Sequence, residues 1–103
     1  MVTRGDVWWY DHPEQGRRPY LILTRNEAIP VLQQVVAIPA TRTIRGIPTE
    51  VVLDVDDGMP TSCALAVDNI TAIRVALCTE RVTSLTPQKL HEVCEALRLA
   101  LAC

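Results

Sequence analysis

Through its first three quarters the chain carries apolar residues in short runs broken by turn-forming residues; after residue 85 they recur at helical spacing. Val7-Trp8-Trp9-Tyr10 sets four bulky sheet formers in a row, which predicts a strand over residues 5–10 with both faces occupied. Asp11 to Gly16 is dense in turn residues and reads as a loop. A second strand is predicted over 19–24, with Pro19 at its start, where a missing N–H costs least. A third runs over 34–39 and stops at Pro39, and a basic turn over 42–48 leads to a fourth over 49–54. Asp56-Asp57-Gly58 makes the tightest turn, and 64–67 and 70–73 form further short strands around Asp68-Asn69.

Leu90, Val93, Cys94, Leu97 and Leu101 then form the stripe of a helix facing a core. Thr86 is a natural N-cap with Pro87 at the first helical position. Five to six short strands followed by one helix predict a mainly β fold, a small closed or half-closed barrel, because closure removes exposed sheet edges. At 103 residues the chain is expected to form a single domain over 1–103.

Composition narrows the setting. The hydrophobic content of 49% is that of a globular protein. No apolar run approaches the roughly eighteen residues of a membrane helix, and no secretory leader is evident, so a cytoplasmic location is expected. Cys63, Cys78, Cys94 and Cys103 lack the pairing or histidine spacing of a zinc site, and the first three read as small buried hydrophobes. Asp54 to Gly58 imitates the start of a calcium loop, but its spacing is wrong and no glutamate closes it. Neither metal nor cofactor is expected.

Net charge is −2 but uneven. Between Gln15 and Gly46 stand Arg17, Arg18, Arg25, Arg42 and Arg45 against Glu27 alone, a local +4, whereas residues 51–103 sum to −3. One basic stretch in an acidic protein suits a local phosphate site better than a long duplex footprint. Every basic residue in that stretch is arginine, whose planar fork grips phosphate in defined geometry.

Six segments in order carry a resemblance: Arg4-Gly5-Asp6-Val7-Trp8-Trp9, Glu14-Gln15-Gly16-Arg17-Arg18-Pro19, Ile38-Pro39-Ala40-Thr41, Thr49-Glu50-Val51-Val52-Leu53, Ala66-Val67-Asp68-Asn69-Ile70 and Arg81-Val82. Together they resemble the MazF/PemK family of toxin endoribonucleases over essentially the whole chain. The resemblance implies an SH3-like barrel of the CcdB/MazF type with a C-terminal helix, usually a homodimer. It implies metal-independent cleavage of single-stranded RNA at short motifs, and inhibition by a cognate antitoxin that covers the RNA site. Arg18 and Thr41 stand at the family's catalytic positions. The first loop, between Asp11 and Gly16, is shorter than in many members, so the cleavage motif does not carry over, nor does the choice among mRNA, tRNA and rRNA.

RNA needs no protein nucleophile, because its own 2′-hydroxyl attacks the adjacent phosphate. A permanently charged Arg18 would stabilise the dianionic phosphorane, and the Thr41 hydroxyl would donate to a phosphate oxygen. The products would be 2′,3′-cyclic phosphate and 5′-hydroxyl ends. Glu14 and His12 are candidate acid/base groups, and Arg17, Arg42, Arg45 and Arg25 are candidate RNA contacts. Trp8, Trp9 and Tyr10 are assigned to the core and a dimer face rather than to base stacking, and His91 to solvent. The alternative is a non-catalytic SH3-like binding module, or a gyrase-directed toxin of the same fold, since fold does not fix function.

Overall fold

The computed structural model describes all 103 residues: seven strands and one helix. The strands are β1 (Asp6–His12), β2 (Gly16–Ile22), β3 (Gln34–Thr41), β4 (Glu50–Leu53), β5 (Cys63–Ala66), β6 (Thr71–Arg74) and β7 (Cys78–Ser84), and the helix is α1 (Pro87–Leu101). All pairings are antiparallel, in the order β4-β5-β3-β2-β1-β7, with β6 also on β3. The mainly β architecture with a C-terminal helix is as expected, but there are seven strands rather than five or six. The strand that the sequence pattern missed is β7, whose Cys-Thr-Glu-Arg-Val-Thr-Ser run is polar and mostly exposed because it forms an edge.

The other differences are at element ends. β1 continues to His12 and β2 begins at Gly16, so the first loop shrinks to a tight hairpin turn over 13–15. His12 makes this possible: its Nδ1 accepts hydrogen bonds from the backbone N–H groups of Glu14 and Gln15, both at 3.1 Å.

Period-two alternation divides the apolar residues between two layers. Val7, Leu21, Ile38, Leu53 and Leu65 face α1 and meet its Val93 and Ala96. Tyr10, Tyr20, Ile22, Val35, Ala37 and Ile73 form a smaller cluster on the opposite face, where the Tyr10 and Tyr20 rings meet edge to face at 5.1 Å. α1 starts as predicted, with the Thr86 hydroxyl accepting from the Lys89 N–H at 3.2 Å and Pro87 following. Its stripe is displaced toward Ala96, and Leu101, expected inside, is 55% exposed at the helix end. Among the cysteines, Cys63 is buried, Cys78 and Cys94 are half-buried and Cys103 is exposed. No helix is long and apolar enough to cross a membrane.

The two outer strands, β4 and β7, do not pair, so the barrel is half closed. A side chain narrows the gap: Thr83 on β7 donates through its hydroxyl to the carbonyl of Asp57, at 3.0 Å. Gly58 allows this approach. Its φ of +92° suits glycine, and a Cβ there would lie 2.3 Å from the Thr83 hydroxyl oxygen. Asp54 and Asp57 cap this turn reciprocally, so the calcium-like segment uses its carboxylates on its own backbone.

Candidate active site

The cleft arises where two strands part. β2 and β3 pair from Ile22–Ala37 to Tyr20–Pro39 and no further. Beyond that point Arg18, Arg17 and Gly16 pair only with β1, while Ala40 and Thr41 pair with Leu65 and Ala64 on β5. The space between the diverging ends is a cleft of about 410 Å³, lined by Trp9, Arg17, Arg18, Pro19, Thr41, Arg42 and Thr43, with Ala40, Met59, Pro60, Thr61 and Cys63 as its floor and far wall.

Strand register explains how the two principal candidates come to share the cleft. Tyr20 is opposite Pro39 in the last β2–β3 pair; two residues beyond it on each strand stand Arg18 and Thr41, which no longer pair with each other but both line the cleft between the parting strands. The Arg18 guanidinium takes no ion pair or hydrogen bond within the chain. Its field reaches Tyr20: burial raises the Tyr20 pKa, the Arg18 charge pulls it back, and Tyr10 adds a smaller upward push. The Thr41 hydroxyl oxygen accepts from the Thr43 N–H at 3.2 Å, which turns the chain and leaves the hydroxyl proton free to be donated into the cleft.

Arg17 points to the other face. It forms an ion pair with Glu80 of β7, Nη2 to Oε1 at 3.0 Å, and its Cζ stands 4.5 Å from the Trp9 ring centroid. Trp9 therefore lines the cleft, contrary to its assignment to the core. The sequence held the signal: in a run of four bulky residues, Trp8 and Tyr10 alternate toward the smaller cluster and leave Trp9 on the opposite face.

Arg42 lines the cleft at the start of the loop over 42–48. Glu50, which sequence reasoning gave no role, tethers that loop: its Oε1 accepts from the N–H groups of Arg45 and Gly46 at 2.9 and 3.0 Å. The other candidates lie outside the cleft lining. Arg45 meets Glu50 through its backbone, and Arg25 sits in the turn after β2, where its carbonyl accepts from Ala28. His12 is committed to its hairpin turn, and the exposed Glu14 carboxylate has no partner. Cys63, in the cleft floor, has its thiol pKa raised by burial and further by Asp57, which keeps it neutral.

Arg17, Arg18 and Arg42, with the Thr41 hydroxyl among them, make this a positively charged cleft on a small half-closed β-barrel. The chain belongs to the PemK-like, MazF-like toxins of type II toxin-antitoxin systems, whose family profile matches residues 3–101. It is 37% identical over 103 residues to the probable endoribonuclease MazF2 of Mycobacterium tuberculosis H37Rv, covering 99% of this chain and 100% of that one. A shorter stretch of 54 residues is 48% identical to the probable endoribonuclease MazF5 of the same strain, spanning 52% of this chain and 50% of that protein's length. Among solved structures it is similar to the Mycobacterium tuberculosis toxin MazF-mt6, with a TM-score of 0.86, 29% identity and coverage of 94% and 96% of the two chains. It is also similar to a mycobacterial endoribonuclease in complex with its cognate antitoxin, with a TM-score of 0.87, 27% identity and coverage of 99% and 96%.

Proposed function

We propose that this protein is an endoribonuclease toxin that cleaves single-stranded RNA without a metal, through attack of the substrate's 2′-hydroxyl on the adjacent phosphate. The observation that supports this reading is that Arg18 and Thr41 both line the cleft that opens where β2 and β3 part. The scissile phosphate rests between them. Thr41 donates its hydroxyl proton to one non-bridging oxygen, and Arg18 neutralises the charge that builds as the phosphorane forms, a role that needs a fixed cation rather than a base. Arg17 and Arg42 hold neighbouring phosphates. Glu14 lies outside the cleft lining, at the turn leading into β2, and its unpartnered carboxylate is our candidate for receiving the 2′-hydroxyl proton by way of a water. The P–O5′ bond breaks and the departing 5′-oxygen takes a proton from solvent water, giving 2′,3′-cyclic phosphate and 5′-hydroxyl ends.

The setting we propose is the cytoplasm, with restraint by a cognate antitoxin, the latter supported by a structural relative solved in complex with its own. A homodimer fits the face opposite α1, where Val31 and Leu32 are exposed at an apolar recess lined by Val2, Trp8 and Ile29. The test is incubation of long single-stranded RNA with the antitoxin-free protein in excess EDTA. Discrete fragments with cyclic-phosphate ends are expected, with Arg18→Ala losing on the order of 10²-fold or more in rate while remaining folded. Intact RNA with the folded wild type would overturn the reading in favour of a binding module.

A further inference from the structure

Trp9 occupies the middle of β1, opposite Pro19 on β2 and Glu80 on β7. Arg17, two residues before Pro19 and on the same face, reaches back across β1 to the Glu80 carboxylate at 3.0 Å, and this lays its guanidinium over the indole at 4.5 Å. The ring is thus a flat apolar surface in the wall of the cleft that contains Arg18 and Thr41, covered by a cation held by a carboxylate. The cover is weakly held. The side chains of Arg17 and Glu80 are 51% and 68% exposed, and water and salt screen such a pair.

A ligand displaces this cover if it offers the guanidinium a stronger anion and the indole a flat partner at the same time. Single-stranded RNA offers both in each nucleotide, a phosphate for Arg17 and a base for Trp9, and bases stack on aromatic rings whatever their sequence. We propose that Trp9 is a stacking subsite for a base flanking the scissile phosphate, covered in the free protein by Arg17 with Glu80 as its latch. This rests on the ribonuclease reading above. Opening the subsite transfers Arg17 from Glu80 to the RNA backbone. Glu80 is therefore a brake on RNA binding, and Trp9 a positioning residue for the chain being cut.

The chain has two tryptophans, so Trp8→Phe leaves Trp9 as the only indole. Its fluorescence is titrated with a random-sequence 12-mer methylated at every 2′-oxygen, which cannot be cleaved, and with an abasic sugar-phosphate chain of equal length. Saturable quenching by the base-bearing chain and much less by the abasic one is expected. Glu80→Gln should lower the half-saturation concentration of both by about threefold at low salt. Equal quenching by the two chains would mean that Arg17 moves without stacking, and would overturn the subsite, as would no quenching by either. Stronger quenching by polyglutamate would assign the surface to an acidic protein instead. If Trp8→Phe misfolds, the same difference is read between wild type and Trp9→Leu. Long RNA is digested in parallel with the wild type: cleavage without base-dependent quenching overturns the subsite alone, and no cleavage overturns the ribonuclease reading.

Discussion

The two halves of β3 are treated differently by the rest of the fold. Its first half, up to Ala37, pairs with β6 on one edge while β2 takes the other from Ala37 to Pro39. The last two residues, Ala40 and Thr41, pair with β5 and leave the β2 side open. One half closes the sheet and the other borders a gap, although both belong to one continuous apolar segment. Within this single strand the closed stretch and the stretch that borders the cleft are therefore set apart by which neighbour stops pairing.

Substitutions should expose that separation. The largest effect belongs to the closed half: Ile38→Ala, at a fully buried position, should cost roughly 2–5 kcal/mol in urea unfolding, with cleavage per folded molecule unchanged. A loss of cleavage at preserved stability would show that the two halves are not independent. At the open end, Thr41→Val should lose on the order of 10-fold or more in cleavage rate with a small change in melting temperature, and Thr41→Ser should restore most of it. If the valine variant cleaves normally, the hydroxyl has no part in the chemistry.

Smaller effects test the surroundings of the comparison. Thr86→Ala removes the cap of α1 and should cost about 1 kcal/mol, leaving RNA cleavage unaltered, because the helix covers the closed core and not the cleft. The smallest is a pH effect. Burial pushes the Cys78 thiol up to about 11 from an ordinary 9.0, so the folded state keeps this proton more tightly than the unfolded one. The stability tied to it is whole below about pH 9 and is lost as pH rises through 11. Urea midpoints should fall less steeply across that window in Cys78→Ala than in the wild type, with Cys63 and Tyr20, raised in the same direction, supplying the remaining slope.

What could be read in advance was whatever depended on local pattern. Val35 to Ile38, Val51 to Leu53 and the capped helix all declare themselves by spacing and caps, and Arg18 and Thr41 stood out by resemblance. β7 did not, because an edge strand paired on one side has no need of an apolar face. Nor did Glu50 and Glu80, whose roles come from the loop or strand that folding sets beside them. His12 shows the reverse case: a residue type that suggests acid/base chemistry is used by its own turn two residues away.

The bond between the Ser84 hydroxyl and the buried Asp6 carboxylate, at 2.6 Å, joins residues 78 positions apart. β1, which bears Trp9, gains its outer neighbour only when β7 has been synthesised and has emerged from the ribosome. Closing a chain segment of that length is slow compared with forming a hairpin or a helix. The Glu80 carboxylate that holds Arg17 over Trp9 is therefore synthesised long after the β1–β2 hairpin on which it closes.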